Sequence, residues 1–424
     1  MLQHYLKIAF RNIGKQKTQT LLSIIGLAVG FVCFALATLW IVYEMSFDTF
    51  HRDANRIYVV YQPNVHRASG YSRETGFHLA PRLRENLPEI EAAIPIRIGR
   101  TTINVDGVSH QARAIIADTT LFRLFDVRIL QGTPSFLTIG SGEVAITQRK
   151  ARELFGNENP IGFSFQPHYP QSEEYVTIGA VVSYWSHRSN FPHDFIVPFP
   201  ESVLEERNRF STWGAGTLIK LHPRINMEAF ETRLYEFDIP NWSGEPQQGR
   251  LIVKPLTQLR FLDPEMRREI RFQHIVIFAL SGLLVVLCCL FNYLTLFVTR
   301  FRLRQKELAL RKVCGASNFS LFVMLSIEFV LTILFAVLLG TVLTHLVHKE
   351  FLRLSGIQME LSAIYQELLL YVGGVILFAL MIFWLVLFIF QRRSLNLSIR
   401  HSHNKTFRKV SVVMQLIISI GFAF

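Results

Sequence analysis

The stretch Leu21–Tyr43, LLSIIGLAVGFVCFALATLWIVY, decides the fold. It carries no charge, and its length matches the roughly 20 apolar residues a helix needs to cross hydrocarbon. Three further runs read the same way: Ile275–Thr299 (IVIFALSGLLVVLCCLFNYLTLFVT), Phe319–Leu346 with the single acid Glu328, and Leu368–Phe390 (LLLYVGGVILFALMIFWLVLFIF). A fifth begins at Val410, and the sequence ends about fifteen residues into it, short of a full crossing. Leu21–Tyr43 is too long and starts too far in for a cleaved leader, and no small-residue cleavage site follows it; it reads as an uncleaved signal anchor.

Half of the 424 residues are hydrophobic, which is ordinary in soluble domains too, so distribution matters more than the total. The net charge of +12 would suit a nucleic-acid binder or a membrane protein. Position separates the two. Lys7, Arg11, Lys15 and Lys17 precede the first span; Arg300, Arg302, Arg304, Lys306, Arg311 and Lys312, against Glu307, follow the second. Arg392, Arg393, Arg400, Lys405, Arg408 and Lys409 follow the fourth. The link after the third, His348–Glu367, has only Lys349 and Arg353 against Glu350, Glu360 and Glu367. Lysine and arginine collect on cytoplasmic links, so the N-terminus and the three basic stretches are expected inside, and Met45–Arg271 outside. Charge at membrane borders needs no nucleic acid, and none is expected as a partner.

The cysteines, Cys33, Cys288, Cys289 and Cys314, all lie outside Met45–Phe272, so no disulfide framework holds that region. Cys33, Cys288 and Cys289 sit in apolar runs, where cysteine behaves as a small hydrophobe.

About 225 residues between the first two spans suffice for a sizeable domain. Arg56–Gln62, Val144–Thr147, Tyr175–Val182, Phe195–Pro198 and Thr217–Leu221 read as strands. Leu79–Leu87, Lys150–Phe155 (stopped at Gly156) and Asn226–Phe237 read as helices. Ala114–Leu130 and Ala180–Phe199 look like separate strand–turn units, so two lobes are expected. The whole is an α-helical membrane bundle of four complete transmembrane helices plus a truncated fifth, with an inserted α+β extracytoplasmic domain. Its expected segments are an amphipathic cytoplasmic helix at 1–20, spans at 21–43, 273–299, 318–347 and 368–390, the outer domain at 44–272, a cytoplasmic link at 300–317, an outer link at 348–367, a basic link at 391–409 and the fifth hydrophobic segment at 410–424.

No nucleophile elbow, zinc-binding helix, Walker loop or framed pair of acids occurs. His187 and His193 flank a surface-like SNFPHD segment and read as solvent-exposed; Glu173 and Glu174 read as a solvated pair. His345 and His348 read as interfacial packing rather than a metal pair. Glu328 reads as an inter-helix hydrogen bond or an interfacial acid rather than a transport group, since intramembrane charges need partners. The chain is not expected to be an enzyme, and no cofactor is expected in it.

Arg300–Ser317, RFRLRQKELALRKVCGAS, is the most informative link. Glu307, Arg311 and Lys312 fall on or near one helical face, Leu303, Leu308, Leu310 and Val313 supply an apolar side, and Gly315 is the expected stop. A basic amphipathic helix can simply lie in the membrane interface; it can also dock on a cytoplasmic partner. Spacing alone leaves both open.

Here the sequence resembles FtsX/MacB-type ABC transporter permeases. The pattern Arg-x-Lys-Glu-x-x-x-Arg-Lys-x-x-Gly-Ala-Ser is carried by Arg304, Lys306, Glu307, Arg311, Lys312, Gly315, Ala316 and Ser317, with Asn292 and Tyr293 before it. LKIAFRNIGKQKTQTLLSIIGLAVG, Tyr43–Val60, Leu121–Pro134, Ala145–Gly162 and Val253–Asp263 are also similar to the family. The resemblance covers essentially the whole chain. It implies a MacB-like periplasmic domain, a coupling helix formed by those eight residues, and a cytoplasmic ABC ATPase on a separate chain, because no Gly-x-x-x-x-Gly-Lys-Ser/Thr loop is present. It also implies pairing with a second permease half or subunit, a bacterial inner-membrane location, and ATP-driven work on a periplasmic partner protein or substrate: efflux, lipoprotein release or mechanotransmission. Arg393–Phe424 resembles an inter-half link and the start of a second half, so the chain is expected to be the N-terminal half of a longer permease. The alternative is a membrane-anchored sensor or scaffold with a periplasmic ligand-binding domain; a coupling helix would be superfluous there.

Overall fold

The computed structural model describes residues 2–15, 17–64, 66–67, 69–105, 108–166, 175–201, 214–240, 246–247, 250–262, 272–357, 361–394, 413 and 416. The acidic pair at 173–174, most of the basic link at 391–409 and nearly all of 410–424 lie outside them. The chain forms two units, one of residues 1–43 and 271–424, the other Glu44–Ile270.

The chain opens with α1 (Leu2–Lys15) and the long apolar α2 (Lys17–Met45). The domain follows, in order β1 (Ile57–Pro63), β2 (Tyr71–Ser72), β3 (Glu74–Gly76), α3 (Leu79–Asn86), β4 (Ile90–Val105), β5 (Val108–Ala117), α4 (Leu121–Leu124) and β6 (Ile129–Gly132). It continues through β7 (Glu143–Thr147), α5 (Gln148–Phe155), β8 (Ser164–Phe165), β9 (Val176–Val182), β10 (Phe195–Pro198), β11 (Gly214–Leu221) and α6 (Met227–Tyr235). The small hairpin β12 (Ile239–Pro240) and β13 (Pro246–Gln247), then β14 (Ile252–Pro255) and α7 (Leu259–Leu262), close it. Last come α8 (Phe272–Leu303), α9 (Gln305–Val313), α10 (Asn318–Ser355) and α11 (Leu361–Ser394).

In the domain, one mixed sheet runs β14-β1-β11-β4-β5-β10-β7-β9-β6, with β2, β3 and β8 as short additions. The long strand β4 makes it continuous. Its first half pairs with β11 (Ile94 opposite Leu218), and its second half pairs with β5 (Arg100 opposite Arg113). This corrects the two-unit expectation. Ala114 of β5 lies in register with Phe195 of β10, and β6 pairs with β9, so both stretches interleave in one half of the sheet. Pairings between distant residues leave no trace in local alternation. Helices α3 and α6 cover the other half, burying Leu79, Leu83, Phe230 and Leu234 against Val60 and Ile219. Local chemistry sets the helix ends: the Thr147 hydroxyl caps α5 by accepting from Lys150 N, and Gly156, at φ +60°, stops it.

In the other unit, α2, α8, α10 and α11 are each long and apolar enough to cross a membrane. Small residues bring α2 and α8 close. A Cβ on Gly30 would lie 2.9 Å from Cys289 Cβ, and one on Gly282 would lie 2.7 Å from Ala37 Cβ. Phe383 stacks on Phe329 and meets Phe297 edge-on, joining α8, α10 and α11. The expected outer link at 348–367 is much shorter. Helix α10 runs on to Ser355, because the first glycine after His348 is Gly356, which caps it at φ +67°. His348 Nδ1 bonds the carbonyl of His345, one turn back on the same helix.

Candidate functional site

The link between α8 and α10 is built around one residue in sparsely populated backbone space. Arg304 ends α8 with φ −95° and ψ 3°, and α9 starts at the next residue. Helical hydrogen bonds continue across the break, Arg304 N to Arg300 O and Leu308 N to Arg304 O. At the far end, Gly315 adopts φ +95°. Its N–H donates to Lys312 O and that of Ala316 to Arg311 O, the paired bonds that close a helix through a left-handed glycine. Ser317 then caps α10, its hydroxyl accepting from Ser320 N.

The motif residues divide by face. Arg304, Leu308 and Arg311, spaced four and three apart, turn inward. Arg304 Nη1 donates to Glu328 Oε2 at 2.9 Å, and its Nε stands 3.5 Å from Glu307 Oε2. Glu307 Oε1 in turn holds Arg311 Nη2 at 2.7 Å, and Arg311 Nη1 points at Met324 Sδ. Leu308 is buried against the aromatic core. Leu303, Leu310 and Val313 are exposed, as are Lys306 and Lys312. The sequence reading put Leu308 with these leucines on one apolar side; the helix separates them, because Leu308 shares the face of Arg304 and Arg311. Gly315, Ala316 and Ser317 serve the turn.

One helical turn before Arg304, Arg300 is buried and reaches α2: its Nη2 donates to Ser23 Oγ at 2.9 Å and to Gln19 O at 3.2 Å. Helix α1 also joins this end of the bundle, with Tyr5 Oη 2.6 Å from Ser320 Oγ.

A second polar cluster lies in the domain, where sequence reasoning singled out only His187 and His193. Asp48 is fully buried with a left-handed backbone, φ +56°. Its carboxylate accepts from Ser189 Oγ at 2.7 Å, from Asn190 Nδ2 at 2.7 Å and from Asn190 N at 3.1 Å. Its own N–H donates to Arg188 O. Nearby, Glu44 is fully buried and paired through both oxygens with Arg260, whose guanidinium lies 3.7 Å over the Phe47 ring. His193 is buried, which corrects the solvent-exposed reading; His187 is exposed. Ser189 and Asn190 pack inward because Asp48 collects their donors, and the Phe191 N–H donates to Ser189 Oγ. The Tyr43–Val60 stretch did contain the signal: an aspartate, one of the few residues other than glycine that tolerates positive φ, inside an aromatic run.

The cluster holds serine, histidine and aspartate but not in catalytic order. Ser189 donates directly to Asp48, and His193 Nδ1 bonds the Phe191 carbonyl. Trp185 lies edge-on between the rings of His51 and His193. Burial pushes both histidines down to about 4, opposed at His51 by Asp126 and at His193 by the Phe191 carbonyl and Asp194. Burial pushes Asp48 up to about 6, against the bonds from Ser189 and Asn190.

These shifts predict a sign. Between pH 6.5 and 4 the unfolded chain binds protons that folded His51 and His193 refuse, so stability falls as pH falls, by about 1.4 kcal/mol per pH unit for each group. Burial lowers His78 too, in the same direction. Asp48 acts oppositely between about 6 and 3.8, gaining stability as pH falls. The histidines outnumber it, so unfolding of the full chain should become easier from pH 6.5 to 4. Replacing His51 and His193 by phenylalanine should make that fall at least twofold shallower; an unchanged slope would contradict the assignment.

Comparison with known families fits both regions. The family model described as MacB-like periplasmic core domain matches residues 20–236, and the one described as FtsX-like permease C-terminal matches residues 279–399. The chain belongs to the FtsX/MacB-type family of ABC permeases, and is a multi-pass membrane subunit of an ABC transporter with a periplasmic core domain. Among solved structures, it is similar to a domain of a permease protein from Porphyromonas gingivalis (19% identity, TM-score 0.40, covering 48% of this chain and 92% of that one). It is also similar to the periplasmic region of MacB from Actinobacillus actinomycetemcomitans (14%, TM-score 0.37, 49% and 92%). A third likeness is to the extracellular domain of the noncanonic ABC-type transporter YknZ from Gram-positive bacteria (12%, TM-score 0.35, 47% and 99%). No curated protein matches the chain.

Proposed function

We propose that α9 is the coupling helix of this permease: it receives a cytoplasmic ABC ATPase and passes ATP-driven motion to the membrane helices, for conformational work at the periplasmic domain. The observation that carries the reading is the division of α9 into two faces. The inner face is anchored by Arg304, Leu308 and Arg311, and the outer face offers Lys306, Leu310 and Val313, the last two 67% and 85% exposed. A short helix held rigidly inside and apolar outside suits insertion into a groove of a partner. The basic links support a cytoplasmic position for this end in an inner-membrane protein, N-terminus inside. The work done, whether efflux, lipoprotein release or mechanotransmission, belongs to the same reading, as does pairing with a second permease half.

The test is capture of the ATPase by the full chain. Leu310→Glu together with Val313→Glu should cut the captured ATPase at least tenfold while leaving the thermal unfolding of the membrane unit unchanged. Equal capture would remove α9 as the docking element. No capture by the parent chain would favour the scaffold reading, with α9 lying in the membrane interface.

A further inference from the structure

Among the residues the coupling reading leaves unused, Glu328 stands out. It is an acid within α10, one of the membrane-crossing helices, and it is buried. A charge at such a place is retained only with a partner. Its partner is Arg304, the residue at which α8 breaks into α9. Four residues earlier, on the same face of α8, Arg300 is bound to Gln19 and Ser23 of α2. Two guanidiniums one turn apart therefore tie the root of α9 to α10 on one side and to α2 on the other. A cavity of about 10 Å³, lined by Arg300, Arg304, Leu308 and Glu328 among others, adjoins the pair.

We propose that Glu328 is a positioning residue: resting on the coupling reading above, it pins the hinge at Arg304 to α10, so that displacement of α9 is delivered to α10 and, through Arg300, to α2. Two details support a joint rather than a simple brace. The pinned residue has non-helical dihedrals at the junction of α8 and α9, so the pin acts where the helix can bend. The chain of charges also continues outward from Glu328 through Arg304 and Glu307 to Arg311, so the load on α9 and the buried acid are linked by ion pairs throughout. With the pin removed, α9 keeps its helix and its outer face but loses its fixed direction.

The experiment uses the full chain with Cys33, Cys288 and Cys289 replaced by alanine, so that exposed Cys314, at the end of α9, carries a nitroxide alone. Glu328→Gln, which keeps size and one acceptor but no charge, should raise label mobility at least twofold. The exchange Arg304→Glu with Glu328→Arg should restore it. The ATPase captured by Glu328→Gln should equal that captured by the parent, with ATP turnover at least fivefold lower, recovering in the exchange. A buried acid that only braces the bundle would change melting temperature and leave label mobility and turnover alone. Unchanged mobility in Glu328→Gln, or none regained in the exchange, overturns the proposal. If Glu328→Gln does not accumulate, accumulation of the exchange variant with the parent's label order supports the joint, and failure of both overturns it. The two readings separate cleanly: absence of ATPase capture by the parent chain sinks the coupling reading, whereas the mobility series judges the joint by itself.

Discussion

Replacing Asp48 with alanine is expected to destabilise the periplasmic domain by about 3–5 kcal/mol, because it removes one partner of a fully buried, charge-assisted network and leaves the others stranded. The Ser189 hydroxyl, the Asn190 side-chain amide and the Asn190 N–H all donate to this one carboxylate. Each buried donor left without an acceptor costs about 1–3 kcal/mol. Alanine is also poorly suited to the φ of +56° that Asp48 holds. Asparagine tolerates that conformation and keeps one acceptor, but its amide faces the Asn190 amide, so about 1–2 kcal/mol is expected. Denaturant unfolding of the full chain in detergent, followed by periplasmic-domain signals, measures both. A loss below about 1 kcal/mol for alanine would mean the network adds nothing beyond what water supplies. A second check is internal. Since burial lifts Asp48 to about 6, the parent gains stability as pH falls below 6 and Asp48→Asn does not, so the gap between them should widen at pH 5.

How much of this was legible beforehand follows the range of the interactions. Apolar runs are local, and they pointed to the four helices long and apolar enough to cross a membrane. Gly156 and Gly315 were readable as helix stops because a left-handed terminal residue selects glycine. The β4–β5 hairpin was missed although Asp106-Gly107, between Val105 and Val108, is a standard two-residue hairpin signal; the strands around it alternate weakly, with Arg97, Gly99 and Arg100 in the run. The single sheet was out of reach, since β10 joins β5 some eighty residues away. The SNFPHD segment misled for a related reason. Its polar residues look solvated until the acceptor 141 residues earlier is brought to them.

The site divides likewise. The motif residues at 304–317 could be named from the sequence, but not their directions. Which of Leu308 and Leu310 turns inward depends on the angle at which α9 leaves α8, and Arg304 sets that angle. Glu328 read as a hydrogen-bonded acid; its partner could not be named, because Arg304 lies 24 positions away on the far side of a turn.

The second large effect concerns Glu44 and Arg260. Glu44 lies in the last turn of α2, and Arg260 lies in α7, close to where the chain leaves the domain, so their pair ties the two connections together. Arg260→Ala should cost about 3–5 kcal/mol, since it strands a carboxylate that is fully buried and also removes the cation from the face of Phe47. Removing both charges should cost far less. In Glu44→Gln with Arg260→Met no ion remains to be desolvated, and the methionine keeps much of the packing on Phe47, so a loss within about 1 kcal/mol is expected. The double-mutant cycle therefore separates two roles. If the pair only stabilises the domain, the double variant should match the parent in unfolding and in ATP turnover of the assembled complex. If the connections must be locked together to carry force, the double variant should unfold like the parent yet lose turnover severalfold, since a neutral pair yields under load where a bidentate ion pair does not. A double variant as unstable as Arg260→Ala would contradict the premise of both, because the charge left alone would then not be what the single replacement exposes.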